Sequence, residues 1–250
     1  MLKRLGAILI DVVYPPLCAG CDRRGTWVCT LCLTGVPSLP TPLCGRCGVP
    51  DGLRTCQCSL LNQHLDQVRS AFPYEGWVAA AIQGFKYRGE TARAPSLADW
   101  LLAPLRSWDR VDALVPVPLH PRRRRKRGYN QAELLAKELS RISGVPLLPA
   151  LVRTRPTPPQ VGNDLDHRQD NVREAFALAP SVSLPNGGRY VVLDDVRTTG
   201  ATLGACATAL ASANPSWIGG LTFAWTVPAG CHDRLARLNR LDQHPSQPAI

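Results

Sequence analysis

The stretch Arg189-Tyr-Val-Val-Leu-Asp-Asp-Val-Arg-Thr-Thr-Gly-Ala-Thr202 constrains this chain more than any other. An apolar, β-branched run from Tyr190 to Leu193 reads as a strand. Two carboxylates end it, a Thr/Gly bend follows, and helical spacing begins at Ala201. A strand that breaks there exposes the first N–H groups of the next helix. With the positive end of the helix dipole, those groups form a cup of phosphate size. Thr198, Thr199, Gly200, Ala201 and Thr202 would wrap the phosphate, Gly200 permitting the turn and the close approach. Asp194 and Asp195 stand just before the cup, where they can accept hydrogen bonds from sugar hydroxyls. The pattern reads as a sugar-phosphate site. The competing reading is a Thr-capped strand–turn–helix junction without a ligand, and the fixed offset of the acids argues against it.

Cysteine sets the second constraint. Eight of the ten cysteines fall between Cys18 and Cys58, as Cys18/Cys21, Cys29/Cys32, Cys44/Cys47 and Cys56/Cys58. Three of these pairs are Cys-x-x-Cys, a spacing that brings two thiolates of one turn to one tetrahedral ion. Four thiolates with no open position are the structural zinc arrangement. Sequential pairing gives one ion to the first four cysteines and one to the last four; interleaved pairing stays open. His64 reads as a surface histidine, Cys206 as a small buried hydrophobe, and Cys231 is given no role.

These constraints divide the chain. Residues 1–66 read as an N-terminal helix, with Leu2, Leu5, Leu9 and Val12 at helical spacing, followed by a metal-organised module. Residues 67–228 alternate helical and strand signals, which argues for a parallel sheet with helices on its faces. Helices are expected at Trp77–Tyr87, Ser96–Leu105, Gln131–Ile142 (with Asn130 as N-cap) and Ala201–Leu210. Strands are expected at Val111–Val117, Leu151–Val152, Tyr190–Leu193 and Trp217–Trp225. Residues 154–171 read as a long loop, and 229–250 as a poorly ordered tail with one helical turn near Leu235. No run is long enough to span a bilayer, and the expected location is the cytoplasm.

A net charge of +10 favours polyanionic ligands. Six consecutive cations, Arg122 to Arg127, follow the Val111–Val117 strand. Self-repulsion holds such a run solvated unless an anion neutralises it. Arg122, Arg123, Arg125 and Arg127 are candidates to grip a pyrophosphate or to track a nucleic-acid backbone, and a plain charged loop is the bland alternative. Tyr129 and Trp27 are the aromatic candidates for base stacking.

The Asp194–Thr202 stretch resembles the phosphoribosyl pyrophosphate (PRPP) motif of type I phosphoribosyltransferases. The resemblance implies that Asp194 and Asp195, the catalytic candidates, bind the ribose hydroxyls and that the loop binds the 5′-phosphate. Purine-salvage members carry an acidic base where this chain has Thr198, so a purine-salvage activity is disfavoured. Several motifs in order make the resemblance narrower: the cysteine pairs after Leu17, Phe85-Lys-Tyr-Arg-Gly89, Val115-Pro-Val-Pro-Leu-His120, Arg127-Gly-Tyr-Asn-Gln131, Thr157-Pro-Pro-Gln160, Arg168-Gln-Asp-Asn171 and Asp194–Thr202. Together they are similar to the ComF (GntX-like) family. That resemblance implies a double zinc ribbon joined to a type I phosphoribosyltransferase-like α/β domain, and a link to DNA uptake in natural transformation. Arg124 and Lys126 stand where the family pattern has aliphatic and acidic residues, so this loop is unusually cationic.

From this follow the expected partners and cofactors. Structural Zn2+ sits on Cys18, Cys21, Cys29, Cys32, Cys44, Cys47, Cys56 and Cys58, and Mg2+ accompanies PRPP. Gln160, Arg168 and Asn171 form a lid. Single-stranded DNA and proteins of the uptake machinery are further partners. Phosphoribosyl transfer to an unknown acceptor is the first functional reading. A non-catalytic single-stranded DNA binder or a PRPP sensor is the alternative.

Overall fold

The computed structural model describes residues 15–35, 38–154 and 175–243. The expected N-terminal helix and the lid residues Gln160, Arg168 and Asn171 lie outside them.

Four parallel strands form the central sheet: β1 (Gln67–Pro73), β2 (Ala113–Pro116), β5 (Arg189–Arg197) and β6 (Trp217–Trp225), in the order β1-β6-β5-β2. A single bridge from Leu114 to Leu147 continues the sheet beyond β2. β6 is buried at every position, as a central strand covered on both faces should be. β3 (Leu151–Arg153) and β4 (Phe176–Leu178) make a separate antiparallel pair.

β1 was not anticipated, because Arg69 and Ser70 interrupt its apolar pattern. The fold satisfies Ser70 internally: its hydroxyl lies 2.7 Å from that of Thr222 on β6, with both residues buried. β5 runs farther than its apolar run suggests. It carries both acids within the strand, with Asp194 in register with Thr222 and Arg197 with Trp225. Pairing to β6 keeps the backbone extended where side-chain hydropathy falls.

Helices at Gly76–Tyr87, Gln131–Ser143 and Ala201–Ala211 occupy the anticipated places. Asn130 caps the second of these, its side-chain oxygen accepting from the Ala132 N–H at 3.1 Å. The helix expected over Ser96–Leu105 is instead two, Ala94–Asp99 and Leu102–Arg106. Pro104 has no N–H to return to the carbonyl of Trp100, and the ladder breaks there. Leu203, Cys206, Ala207 and Leu210 are buried along one face of the Ala201–Ala211 helix. Burial raises the Cys206 thiol well above its ordinary pKa, as suits a small apolar filler.

The segment expected to be a poorly ordered tail holds a helix at His232–Gln243, longer than the single turn foreseen. Its buried Leu235, Arg234 donating to the Leu53 carbonyl at 3.1 Å, and Asn239 accepting from the Ser38 hydroxyl at 3.0 Å fix it to the cysteine module. Cys231, given no role from sequence, is buried just before this helix.

Candidate ligand and metal sites

Each half of the cysteine module starts with the same device. Bridges between Leu17 and Arg24, and between Leu43 and Pro50, fold a Cys-x-x-Cys turn back on itself. The pairing is sequential: Cys18, Cys21, Cys29 and Cys32 form one cluster, and Cys44, Cys47, Cys56 and Cys58 the other. In each, the ligand sulfurs lie within 4.8 Å of one another. In the second cluster the Cys44–Cys58, Cys47–Cys56 and Cys44–Cys56 sulfurs are 3.5, 3.8 and 3.9 Å apart. Bonds of about 2.3 Å to a tetrahedral ion place thiolates about 3.8 Å apart, so both groups can hold zinc. Electrostatics agree. The Cys47 backbone N–H pulls the Cys44 thiol down to about 6, against burial. Burial, together with the neighbouring Cys56, Cys44 and Cys47, pushes Cys58 up to about 12. Sulfurs this close do not all ionise unless a cation sits among them.

The second candidate site lies at the carboxyl ends of β2 and β5, where ligands gather in open α/β sheets. A cavity of about 310 Å3 opens there. Its walls include Lys86, Tyr87, Arg123, Arg127, Asn130, Gln131, Arg153, Asp194, Asp195 and Thr202. Both acids therefore face a cavity rather than the core, though Asp195 is only 6% exposed. Lys86 Nζ lies 2.9 Å from Asp195 Oδ1. Burial lowers the Lys86 ammonium, but Asp195 and then Asp194 more than offset this, and its pKa lies above the usual lysine value. Burial and the adjacent Asp195 charge raise Asp194 to about 7, although Lys86 and the Asp195 backbone N–H oppose the shift. That N–H donates to Asp194 Oδ1 at 2.8 Å.

The basic run is not a loop. His120 Nδ1 accepts from the Arg122 N–H at 3.2 Å and caps a short helix, Pro121–Arg127. Arg123 and Arg127, four residues apart, share the face toward the cavity. Arg122, Arg124, Arg125 and Lys126 are exposed on the outside, with Arg124 Nη2 3.3 Å from Glu133. The candidate set Arg122, Arg123, Arg125 and Arg127 is thus split in two by helical geometry.

Arg127-Gly-Tyr-Asn-Gln131 shapes the site more than it fills it. The Tyr129 hydroxyl and Gln131 Nε2 both donate to the Phe85 carbonyl, at 2.6 and 3.2 Å. Asn130 Nδ2 donates to the Val117 carbonyl at 2.9 Å, and Gln131 Oε1 accepts from Arg127 at 2.7 Å. These bonds tie the end of the Gly76–Tyr87 helix, which carries Lys86, to the end of β2. Tyr129 is accordingly engaged, and Trp27 lies under the Arg93 guanidinium at 4.8 Å. The aromatic available at the cavity mouth is Tyr87, 75% exposed with Arg127 5.4 Å from its ring centre. Its place at the end of an apolar helical face gave no signal in sequence.

The Thr/Gly bend does not face one cavity. Thr202 lines the cavity of the acids, while Gly200 and Ala201 line another of about 470 Å3 with Ser59–His64 of the cysteine module. Thr198 is exposed and Thr199 half-buried. Gly200 has φ of 89°, a conformation that favours glycine, and the Ala201 N–H donates to Thr199 Oγ1 at 3.4 Å.

No protein-family model matches the chain. Among solved structures, an adenine phosphoribosyltransferase overlaps at a TM-score of 0.36 and 13% identity, covering 64% of this chain and 80% of that one. UMP synthase of Leishmania donovani overlaps at 0.35. Overlaps this small add nothing to the fold description, which stands on the parallel sheet and its strand order. No helix among the described residues is long and apolar enough to cross a membrane. Sequence relatives are more telling. Competence protein F of Haemophilus influenzae is 33% identical, over 75% of this chain and 80% of its own length. DNA utilization protein YhgH of Escherichia coli K12 is 31% identical over 77% and 89%. Competence protein ComFC of Bacillus subtilis is 28% identical over 70% and 74%. With its two four-cysteine groups and its parallel-sheet domain, the chain belongs to the competence protein F (ComF) family.

Proposed function

We propose that this chain binds PRPP, with Mg2+ on its pyrophosphate, as a phosphoribosyltransferase-type protein serving DNA uptake from the cytoplasm. The observation that carries the reading is one cavity lined by two acids, with Lys86 paired to one of them, by Arg123 and Arg127, and by Thr202 of the Thr/Gly bend. Asp194 and Asp195 accept hydrogen bonds from the ribose hydroxyls and favour positive character at the anomeric carbon. Arg123 and Arg127 steady the departing pyrophosphate. Thr198, Thr199, Gly200, Ala201 and Thr202 hold the 5′-phosphate. Bound magnesium supplies charge neutralisation at the pyrophosphate oxygens, and zinc fills both cysteine clusters. The domain limits 1–66, 67–228 and 229–250 belong to this proposal, with the last segment helical over His232–Gln243.

Titration calorimetry with PRPP and with ribose 5-phosphate, each with and without Mg2+, tests it. Binding that disappears in the Asp194→Asn/Asp195→Asn double variant is expected. Absence of heat with either ligand in the intact chain refutes the reading. PRPP consumption with candidate bases, amines and DNA then separates an enzyme from a sensor.

A second reading has its own observation. Arg122, Arg125 and Lys126 point away from the cavity on the same helix, as a surface that tracks single-stranded DNA would. The names of the relatives, competence and DNA utilization proteins, favour it. An oligonucleotide affinity that falls steeply with salt is expected, and affinity indifferent to salt rules it out.

A further inference from the structure

A buried guanidinium with no carboxylate beside it needs another source of negative charge. Arg197, the last residue of β5, is 2% exposed. Its Nη1 donates to the Cys47 carbonyl at 3.0 Å, while Nε and Nη2 reach no acceptor. Among the described residues no carboxylate pairs with it. Burial pulls its pKa down to about 10, with Cys47 opposing the shift and Arg69 adding to it, and the Trp225 ring centre lies 5.4 Å from its Cζ. Four thiolates around one dication keep a net negative charge, which is what a stranded guanidinium lacks.

The same side chain lies beside the Thr/Gly bend. Its Cδ lies 3.9 Å, and Cδ2 of Leu61 in the cysteine module 3.1 Å, from where a Cβ on Gly200 would stand. Arg46 reinforces the link by donating to the Cys58 and Asn62 carbonyls, both at 3.3 Å, and Asn62 reaches the Thr208 hydroxyl at 3.1 Å. The first cluster meets the domain elsewhere, through Gly20 against Trp77 and Arg93 donating to the Trp27 carbonyl.

We propose that Arg197 is the counter-charge of the Cys44/Cys47/Cys56/Cys58 metal centre, and that this centre, unlike the first, sets the shape of the Thr198–Thr202 bend. Loss of its metal frees the guanidinium and the Leu61 cover together and loosens the bend. The consequence for sugar-phosphate binding rests on the function proposed above; the metal–loop link does not.

Two measurements on the full-length zinc-loaded protein test it. In the first, zinc release to a chromogenic chelator is compared for wild type, Arg197→Gln and Arg197→Lys. The glutamine variant should give up one of two zinc equivalents about 10- to 100-fold more readily, the usual cost of losing a partner outside the ligand shell, and lysine should restore most of the retention. In the second, amide hydrogen exchange over residues 198–202 is compared in Cys56→Ser and Cys21→Ser, each removing one exposed ligand from one centre. Exchange should rise in the first variant and stay at the wild-type rate in the second. Wild-type zinc retention by a folded Arg197→Gln protein, or equal loop exchange in the two cysteine variants, overturns the proposal. If Arg197→Gln does not fold, the exchange comparison decides alone. Should no chain bind a sugar phosphate while zinc release and exchange behave as stated, the functional reading falls and the metal–loop link stands.

Discussion

Asp194 and Asp195 are adjacent in sequence yet sit in different electrostatic settings. Asp195 faces Lys86, whereas Asp194 is raised to about 7 by burial and by its neighbour's charge. Between the ordinary carboxylate value of 3.8 and about 7, the folded chain therefore holds more protons at Asp194 than the unfolded chain does. Its contribution to stability is full below that window and is lost as pH rises through it. Asp194→Asn should flatten this decline and raise the ligand-free melting temperature at pH 8, while abolishing ribose 5-phosphate binding. A melting temperature at pH 8 no higher than wild type would count against the assigned environment. Lys86→Met leaves the Asp195 carboxylate without its cation in a nearly closed setting, at a cost of about 3 kcal/mol in chemical denaturation. Adding Asp195→Asn should recover much of that loss, because the stranded charge is then gone.

At the scale of single elements, the Pro121–Arg127 helix sorts its charges by geometry. Arg123→Ala/Arg127→Ala should weaken pyrophosphate binding in calorimetry and leave most oligonucleotide affinity intact. Arg122→Ala/Arg125→Ala should do the reverse, lowering the slope of log affinity against log salt by about 1 for each phosphate no longer neutralised. Equal effects of the two pairs on both ligands would mean that the faces are not distinct. The next helix depends on Asn130, which caps it and also holds the Val117 carbonyl. Asn130→Ala should cost at least about 1 kcal/mol of unfolding free energy. Because this residue also joins the end of β2 to the Gln131–Ser143 helix, its loss should misplace the cavity walls and weaken ligand binding as well.

Over the whole molecule, the cysteine module is joined to the sheet by shared packing. Cys47, Val49 and Leu53 belong to the same buried cluster as Val68, Leu193 and Trp225. The Val68 N–H donates to the Arg46 carbonyl at 2.7 Å, and Gly48, at φ 67°, leaves no room for a Cβ beside the Val68 carbonyl. Metal removal should therefore lower the stability of the entire chain. In scanning calorimetry with a strong chelator, one cooperative transition moved to lower temperature is expected. A separate early transition with the main one unmoved would show that the module melts independently.

Sequence by itself determined what depends on local spacing. Cys-x-x-Cys turns, the strand–acid–Thr/Gly–helix order, the Asn130 cap and the alternation of strands with helices are all dictated by residues within a few positions of one another. Tertiary structure alone decided what depends on distant partners. β1 exists because β6 supplies Thr222 to Ser70 and a backbone ladder to a polar-interrupted segment. The acids remain inside β5 because β6 pairs with it as far as Arg197. Lys86 meets Asp195, Arg197 meets Cys47, and Leu235 finds the core across separations that no periodicity encodes. A local pattern fixes backbone preference, whereas a charged side chain's partner is set by which chain ends the sheet brings together.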